Sequence, residues 1–362
     1  MRHFITLDDL SNFEIEQIFR LADQMRTQIA TWSGFCKGKL LATLFYEPST
    51  RTRLSFESAV ERLDGRAIGF ADPHAASVAK GETIADTVRM VANYSDIIVV
   101  RHNWAGSARV MACYSTVPVI NGGDGSHRHP TQALTDLYTI LQRKGGIEGI
   151  KVGICGDLQY GRSAHSLALA VARFGGRLVH IAPDGFQMPE WVLSRVKHLY
   201  GQEPLERSHL SDVIGELDVI YVNRLQQERL PPEIDREAAS KSYLVNTAVM
   251  SGAKSDAIIM HPLPRVNELA YELDADGRAA YFEQSANGVP IRMALIASLL
   301  GLEQLILTQP PERKIASDNR PCDNLNCVTA HEHYLEPETE LITDDLTTAV
   351  CAYCGAIKPE KM

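Results

Sequence analysis

The segment from Glu47 to Arg53, Glu-Pro-Ser-Thr-Arg-Thr-Arg, concentrates hydroxyl and guanidinium groups at a predicted helix start. It follows an apolar run, Leu40 to Phe45, and precedes a helical pattern that continues to about Asp64. The first N–H groups of a helix have no partner within it, and the helix dipole favours an anion there. Hydroxyls and guanidiniums add donors that can bind several phosphate oxygens. An ordinary helix cap with solvated basic residues explains Ser-Thr alone, but this longer pattern after a buried strand predicts a phosphate site.

Six further polar segments are predicted to lie in loops at strand ends. Each has an ordinary alternative, such as a capping histidine, a surface arginine or a tight turn. Ligands of open parallel sheets bind beyond the carboxyl ends of the strands, so these loops should share one rim. Together they bring four arginines to that rim or close to it, which random surface placement explains poorly. The segments are Ser77–Thr83, Arg101-His102, His129–Gln132, Gly156–Arg162, Arg224–Gln226 and His261–Arg265.

Strand-like apolar runs alternate with helical patterns in two series along the chain. The alternation predicts an α/β fold of two doubly wound parallel-sheet domains with a cleft between them. The C-terminal forty or so residues are expected to form a small separate module that needs a stabilising cross-link, such as a bound metal ion, to fold. The predicted strands are 40–45, 67–70, 97–100, 117–120, 152–155, 178–181, 219–222 and 258–260, and the predicted helices are 51–64, 83–94, 107–114, 130–142, 162–174, 189–200, 232–240 and 290–302.

Composition excludes several classes of protein. The chain has 362 residues, of which 45% are hydrophobic and 22% charged, as in ordinary globular enzymes. No apolar run approaches the ~18 residues that span a bilayer, and a cytoplasmic location is the default expectation. The net charge of −9 opposes non-specific nucleic-acid binding, so neither nucleic acid nor membrane is an expected partner. Cys36, Cys113 and Cys155 stand among apolar neighbours and are expected to be small buried residues.

Four cysteines near the C-terminus have the spacing of a metal site. Cys322-x4-Cys327 and Cys351-x2-Cys354 are separated by 23 residues, which predicts a tetrahedral four-thiolate zinc ion. With no ligand position open to water, such a zinc, one per chain, is structural; rubredoxin-like iron is a minor alternative. A nucleic-acid-binding ribbon is the competing interpretation. It is weak, because residues 322–354 contain seven Asp or Glu and no Lys or Arg.

Five of these segments, in this order, resemble the signature of the carbamoyltransferases, and in particular the aspartate carbamoyltransferase family. They are 49–53, 129–132, the Arg162 segment, Arg224-x-Gln226 and 261–265, and the resemblance covers roughly residues 3 to 305. It implies transfer of the carbamoyl group of carbamoyl phosphate to the amine of L-aspartate, giving N-carbamoyl-L-aspartate and phosphate in pyrimidine biosynthesis. No cofactor is implied for the chemistry. The alternatives are a carbamoyltransferase for another amine and a non-catalytic regulatory homologue.

The resemblance also implies a role for each matching position. The Ser77–Lys80 loop is one residue shorter than the family pattern, and Arg128, where a neutral residue is usual, is expected to be a solvated surface residue. Glu47 would pair with Arg162 and Arg229 when the domains close. For carbamoyl phosphate, the family roles place Ser49, Thr50, Arg51 and Thr52 on the phosphate, Thr52, Arg101 and His129 on the carbamoyl carbonyl, and Gln132 near the carbamoyl nitrogen. Ser77 and the catalytic Lys80 would lie in a neighbouring subunit's active site. For aspartate, the roles place Arg162, Arg224 and Gln226 on the carboxylates, and the carbonyls of Leu263 and Pro264 near the carbamoyl nitrogen and the attacking amine.

The same resemblance sets the expected organisation of the chain. Residues 1–131 and 288–306 would bind carbamoyl phosphate, 132–287 would bind aspartate, 307–321 would be a linker and 322–362 a zinc domain. The last segment resembles the zinc domain of the regulatory chain of aspartate carbamoyltransferases, here fused to a catalytic chain. We expect a homotrimer with shared active sites, with a dimer of trimers as the larger alternative. The zinc domain would brace this assembly.

Overall fold

Parallel strands form where the sequence has its short apolar runs. The structure, a computed structural model, describes residues 2–71, 81–224, 243–302, 313–317, 322–341 and 349–358. The chain divides into two compact units, Met1–Leu134 with Gly288–Met362, and Thr135–Asn287. Each unit contains a parallel sheet with helices, so the predicted pair of parallel-sheet α/β domains is confirmed.

The first unit is built on a four-stranded parallel sheet. The strands lie in the order β2-β1-β3-β4, and the two central strands are almost completely buried. A hydroxyl from Ser11 and the Glu14 carboxylate form a capping box at the first helix, a start that the apolar pattern alone did not reveal. The elements are α1 (Asn12–Thr27), α2 (Ile29–Trp32), β1 (Leu40–Phe45), α3 (Thr50–Arg62), β2 (Arg66–Phe70), α4 (Ile84–Ala92), β3 (Ile97–His102), α5 (Ser107–Tyr114) and β4 (Val119–Asp124).

The second unit is built on a five-stranded parallel sheet in the order β7-β6-β5-β8-β9. Its central strands are runs of buried apolar residues, as expected for a sheet covered on both faces. Strand β5 pairs with β8, which places the loops that follow these two strands side by side. The elements are β5 (Lys151–Cys155), α7 (Arg162–Arg173), β6 (Arg177–Ile181), α8 (Glu190–Tyr200), β7 (Leu205–Arg207), β8 (Val219–Val222), α9 (Thr247–Met250) and β9 (Ile258–Met260).

Two long helices cross the boundary between the units, α6 (Pro130–Lys144) and α10 (Tyr281–Leu299). The predicted start of the last helix at Pro290 is wrong, because α10 begins at Tyr281 and contains that proline in its interior. The turns before Pro290 are held by buried side-chain hydrogen bonds: Gln284 donates to Asp136 (2.7 Å), and Asn287 donates to Thr139 (3.1 Å).

Two other predictions need correction. The predicted strand 117–120 ends too early, because β4 extends through the glycine-rich residues after Ile120 to Asp124. A Cβ atom at Gly122 would lie 3.0 Å from the Val100 carbonyl oxygen, so the absence of a side chain permits close strand packing rather than chain reversal. Cys113 is exposed rather than buried, since it faces outward from α5. The predicted helix 232–240 lies outside the described residues.

The C-terminal residues form a small antiparallel sheet of β10 (Ile315–Ser317), β11 (Glu338–Leu341) and β12 (Ala349–Cys351). They belong to the first compact unit rather than standing apart from the rest of the chain. Among the described residues, no helix has the length and apolar character needed to cross a membrane.

Candidate active site and metal centre

The predicted phosphate segment is the start of α3. Ser49 is the N-cap residue, with extended backbone, and its hydroxyl makes no capping bond to the helix. Arg51 is exposed and Thr52 is buried. Arg53, by contrast, donates from Nε to the Glu57 carboxylate at 2.6 Å one turn later. The segment therefore presents a hydroxyl and a guanidinium at a helix N-terminus, where an anion is favoured.

Arg101 lies within β3, next to the end of β1. The prediction that it directly follows the strand is wrong by two residues, because β3 continues to His102. Its Nε is 3.3 Å from the Glu47 carboxylate, and its Nη1 donates to the Gly122 carbonyl at 3.4 Å. A Cβ atom on Gly122 would also lie 3.7 Å from Thr52 Cγ2. The ends of β1, β3 and β4 thus bring Arg101 and Thr52 to the same place.

A buried carboxylate, Asp124, organises the turn that leads to His129. It accepts hydrogen bonds from the Gly106 N–H (2.7 Å) and from Asn121 (2.9 Å), and lies 3.0 Å from His127 Nδ1. Burial alone would raise the pKa of Asp124, but the His127 charge and the hydrogen bonds outweigh it and hold the pKa below its ordinary value. Asp124 therefore stays ionised in the interior and fixes this turn.

His129 and Gln132 follow that turn at the start of α6. His129 is buried, and its Nδ1 is 3.4 Å from the Thr131 hydroxyl. The Gln132 N–H donates to the His129 carbonyl at 3.0 Å. The expectation that Arg128 is a solvated surface residue is wrong: its side chain is 6% exposed and lies 3.8 Å from the Asp8 carboxylate. That partner is remote in sequence, and no local pattern indicates it.

In the second unit, the residues preceding Arg162 and Arg224 are in contact. Asn223 follows β8 and donates to the Asp157 carbonyl at 2.7 Å. A Cβ atom at Gly161 would come within 2.1 Å of the Asn223 amide nitrogen, so only glycine allows this approach. Arg162 is the first residue of α7. Arg224 follows the end of the neighbouring strand β8 and is exposed. The predicted association of these two arginines at one sheet edge is therefore supported by the geometry of their loops.

The segment after β9 is held by His261. Its Nδ1 accepts the Leu263 N–H (2.7 Å), and its Nε2 lies 2.8 Å from the Glu268 carboxylate. Burial would raise the pKa of Glu268, but bonding to His261 keeps it below its ordinary value. Leu263 has a φ of 55°, and the Leu263–Pro264 peptide is cis. These contacts fix the backbone whose carbonyls were expected near the reacting amine.

Arg265 follows in the same segment, and its guanidinium makes two bonds to Asp274, at 2.5 and 2.6 Å. It also lies over the Tyr271 ring, 4.1 Å from the centroid. Arg265 was counted among the arginines at the ligand-binding rim, but in this structure its donors stabilise the loop itself. Ser77, Lys80, Gln226 and Arg229 lie outside the described residues, so their predicted roles stay predictions.

The four C-terminal cysteines converge. Their sulfur atoms all lie within 4.8 Å of one another, with 3.5 Å between Cys322 and Cys354 and 3.8 Å between Cys327 and Cys351. Tetrahedral zinc with Zn–S bonds of about 2.3 Å separates its sulfur ligands by about 3.8 Å. The Thr329 hydroxyl donates to Cys327 Sγ at 3.2 Å, an outer contact of the kind that orients metal ligands. The donor set fits a four-thiolate metal ion.

Two models of one protein family match successive regions of the chain. Residues 2–142 match the family model "Aspartate/ornithine carbamoyltransferase, carbamoyl-P binding domain", and residues 148–299 match its "Asp/Orn binding domain". The aspartate carbamoyltransferase catalytic subunit of Clostridium perfringens strain SM101 is 46% identical over 301 residues, which is 83% of this chain and 98% of the relative. The chain belongs to the aspartate/ornithine carbamoyltransferase family. The four cysteines lie beyond both matched regions.

Solved structures of aspartate transcarbamoylases are also similar to this chain. The catalytic subunit of M. jannaschii aspartate transcarbamoylase is 43% identical, with a TM-score of 0.77, and the match covers 83% of this chain and 98% of that one. Aspartate transcarbamoylase from Trypanosoma cruzi in complex with N-(phosphonacetyl)-L-aspartic acid is 36% identical, with a TM-score of 0.77, covering 82% and 95%.

Two supporting residues were not identified from the sequence. Asp124 and Tyr46 are buried next to the candidate site residues, and each lies in a residue pattern that also fits ordinary core or turn positions. The aspartate within Asn-Gly-Gly-Asp-Gly is the one with a usable signal, since a lone carboxylate after a buried strand needs partners.

Proposed function

We propose that this protein is an aspartate carbamoyltransferase, which transfers the carbamoyl group of carbamoyl phosphate to the amine of L-aspartate and releases phosphate. The observation that carries the proposal is identity of 46% over 301 residues to a catalytic subunit of that name, together with the candidate residues at the strand ends. N-carbamoyl-L-aspartate would then enter pyrimidine biosynthesis, as the family membership implies.

The proposed carbamoyl phosphate site uses the start of α3. Ser49, Thr50, Arg51 and Thr52 bind the phosphate. This assignment is supported by the helix N-terminus, where the Ser49 hydroxyl makes no capping bond, and by the exposed position of Arg51 in the first turn. Attack of an amine builds negative charge on the carbonyl oxygen. Arg101, His129 and Thr52 are proposed to stabilise that charge, and removal of one such donor typically costs about 3 kcal/mol of barrier.

Gln132 is proposed to orient the carbamoyl nitrogen, and Ser77 and Lys80 are proposed to act in the active site of a neighbouring subunit. The departing phosphate can accept the amine proton, so the chemistry asks for no dedicated protein base. Fixing both reactants in one arrangement supplies a further large part of the rate enhancement.

The proposed aspartate site lies in the second unit. Arg162, Arg224 and Gln226 bind the two carboxylates, and the Leu263 and Pro264 carbonyls accept bonds from the carbamoyl nitrogen and the attacking amine. The contact between Gly161 and Asn223 supports the pairing of the two arginines. Two guanidiniums suit a dicarboxylate and would repel the cationic side chain of ornithine. Aspartate is therefore the proposed substrate of the two that the family name contains.

The C-terminal cysteines are proposed to bind one structural zinc ion, in a domain like that of a regulatory chain. All seven cysteines lie in the described part of the chain and none forms a disulfide, which suits a reducing compartment and supports a cytoplasmic location. A homotrimer with shared active sites is the proposed assembly, with a dimer of trimers as the larger form.

One assay tests the proposed reaction. The purified chain is supplied with carbamoyl phosphate and either aspartate or ornithine, and both released phosphate and carbamoylated product are measured. We expect product with aspartate and at least about a hundredfold lower kcat/KM with ornithine, because the two guanidiniums repel a cationic side chain and lose their carboxylate partner. Equal rates with both amines, or no product with either, would refute the proposal.

A further inference from the structure

The four-cysteine module, defined here as residues 322–341 and 349–358, packs on the first unit of its own chain. Ala105 and Cys327 form a bridge in which the Ala105 N–H donates to the Asn326 carbonyl and the Val328 N–H donates to the Ala105 carbonyl, both at 2.9 Å. The module is therefore hydrogen-bonded, through its metal-ligand loop, to the segment directly after β3.

Side chains of α5 extend this contact. Arg109 donates to the Ala352 carbonyl at 2.7 Å and to the Glu338 carboxylate at 2.8 Å, with its guanidinium over the Tyr353 ring. A Cβ atom built at Gly106 would lie 2.7 Å from the Tyr353 Cβ atom, which is closer than two non-bonded carbon atoms can approach. The interface is thus close-packed and charged as well as apolar.

The module also caps the first turn of α4. The Ile84 N–H donates to the Glu332 carboxylate and the Ala85 N–H donates to the Tyr334 hydroxyl, both at 3.2 Å. The third N–H, that of Asp86, is satisfied by the helix's own N-cap residue. Glu332 is buried, and its negative charge lies at the end of the helix where the dipole favours it. Two of the first three donors of this helix are therefore satisfied by the module.

An aromatic column runs from the module towards the candidate carbamoyl phosphate site. His331 stacks on Trp104 with ring centroids 4.2 Å apart and planes at 2°. The Trp104 and His102 ring centroids are 4.7 Å apart, and the backbone N–H of Trp104 donates to His102 Nδ1 at 3.0 Å. His102 lies 4.4 Å from Tyr46. The Tyr46 ring is in the buried cluster that also contains Ile84 and the metal-ligand residues of the module.

The inner end of this column adjoins two candidate site residues. His102 follows Arg101 in β3, and Tyr46 precedes Glu47 at the end of β1. The Tyr46 N–H donates to the Arg101 carbonyl at 2.8 Å, and the Glu47 carboxylate lies 3.3 Å from Arg101 Nε. A displacement of Tyr46 or His102 must therefore move the backbone that carries Arg101 and the start of the phosphate segment.

We propose that the four-cysteine module positions the carbamoyl phosphate residues of its own chain, by capping α4 and by stacking on Trp104 against His102 and Tyr46. Tyr46, His102, Trp104, Glu332 and Tyr334 are positioning residues rather than catalytic ones. The metal acts at a distance, because it folds the module that makes these contacts. This inference rests on the proposed function, since it concerns the same site.

Kinetics should separate positioning from chemistry. When only a fraction of molecules holds the binding-competent arrangement, the apparent affinity falls by that fraction, whereas saturating substrate restores the competent state. Loss of the module's contacts should therefore raise the KM for carbamoyl phosphate and leave kcat within about twofold. One hydrogen bond shifts a local equilibrium by about fivefold, so a KM increase of three- to tenfold is expected for a single contact.

The test uses the full-length, zinc-loaded chain. Tyr334→Phe removes the acceptor of the Ala85 N–H and keeps the ring, and Trp104→Ala removes the centre of the column, with Trp104→Phe as the conservative rescue. Tyr353→Phe is the matched control, because its hydroxyl donates to the Glu336 carbonyl inside the module and touches neither α4 nor the column. Metal removal by chelation, followed by added Zn²⁺, provides a reversible fifth arm.

Two readouts are compared: the steady-state constants, and amide hydrogen exchange of residues 81–92 and 101–105. We expect faster exchange and a higher KM in Tyr334→Phe, in Trp104→Ala and in metal-free protein, with recovery in Trp104→Phe and on zinc addition, and no change in Tyr353→Phe. Faster exchange with an unchanged KM would overturn the positioning role. Unchanged exchange would show that the module does not make these contacts, and would also overturn it. Absence of activity in the unmodified chain, with normal exchange, would instead refute the proposed reaction.

Discussion

Gly106 offers the sharpest test of the packing between the four-cysteine module and α5. Its φ is 88°, a left-handed backbone that costs an L-residue about 1–2 kcal/mol. A Cβ atom there would meet the Tyr353 Cβ at 2.7 Å and its carbonyl oxygen at 2.8 Å. Because one of these atoms belongs to the backbone, the module must shift, and overpacking of this kind costs about 1–3 kcal/mol more. Gly106→Ala should therefore cost about 2–5 kcal/mol in total, of which the clash, about 1–3 kcal/mol, weakens docking of the module.

Gly34 provides the matched control, because its φ is 91° and nothing lies within 4 Å of a Cβ built there. Gly34→Ala carries the same backbone cost without the clash. The assay is amide exchange of Val328, whose N–H donates to the Ala105 carbonyl across the interface. We expect its exchange rate to rise at least about fivefold in Gly106→Ala and to stay unchanged in Gly34→Ala. Equal Val328 rates in the two variants would refute this account of the interface.

The remaining predictions concern the two sites and the core. Arg51→Lys should raise the KM for carbamoyl phosphate by about 10- to 100-fold, because a charge-assisted pair is lost. Arg53→Lys replaces a side chain already bonded to Glu57, so it should change the KM less than about threefold in the same assay. Burial lowers the pKa of His180 to about 4, so this side chain is neutral in the fold and takes up a proton on unfolding below its ordinary value of 6.5. The contribution of His180 to stability should be constant above that pH and fall by about 3 kcal/mol as pH drops towards 4, and His180→Leu should remove this part of the pH dependence from urea unfolding curves. Cys351→Ser should release the metal, measured by elemental analysis, while kcat at saturating substrate is retained; a fully metal-loaded variant would contradict the four-thiolate assignment.

The features that could be predicted from the sequence are those whose causes are local. The segment 47–53 contains both its helix start and its donors, and the bounds of α5 match the prediction at both ends. Metal-ligand spacing is likewise local within each cysteine pair. The parallel sheets follow from short apolar runs separated by helical patterns, because both faces of such strands are buried.

The features that could not be predicted depend on partners remote in sequence. Arg128 is buried against Asp8, and no pattern near position 128 indicates that carboxylate. The glycines after Ile120 resemble a turn, yet Gly122 lies in β4, and a Cβ atom there would be 3.0 Å from the Val100 carbonyl oxygen of the neighbouring strand. The docking surface of the module is of the same kind, since Ala105 and Gly106 are unremarkable residues until Cys327 and Tyr353 are placed against them.

The most direct test of the central claim is calorimetric titration with N-(phosphonacetyl)-L-aspartate, a single molecule that carries both the phosphonate and the diacid. The proposed function predicts stoichiometric binding that weakens roughly 10- to 150-fold in both Arg51→Ala and Arg224→Ala, because each variant loses a charge-assisted pair at a different end of the ligand. Absence of binding, or affinity that neither variant changes, would contradict it.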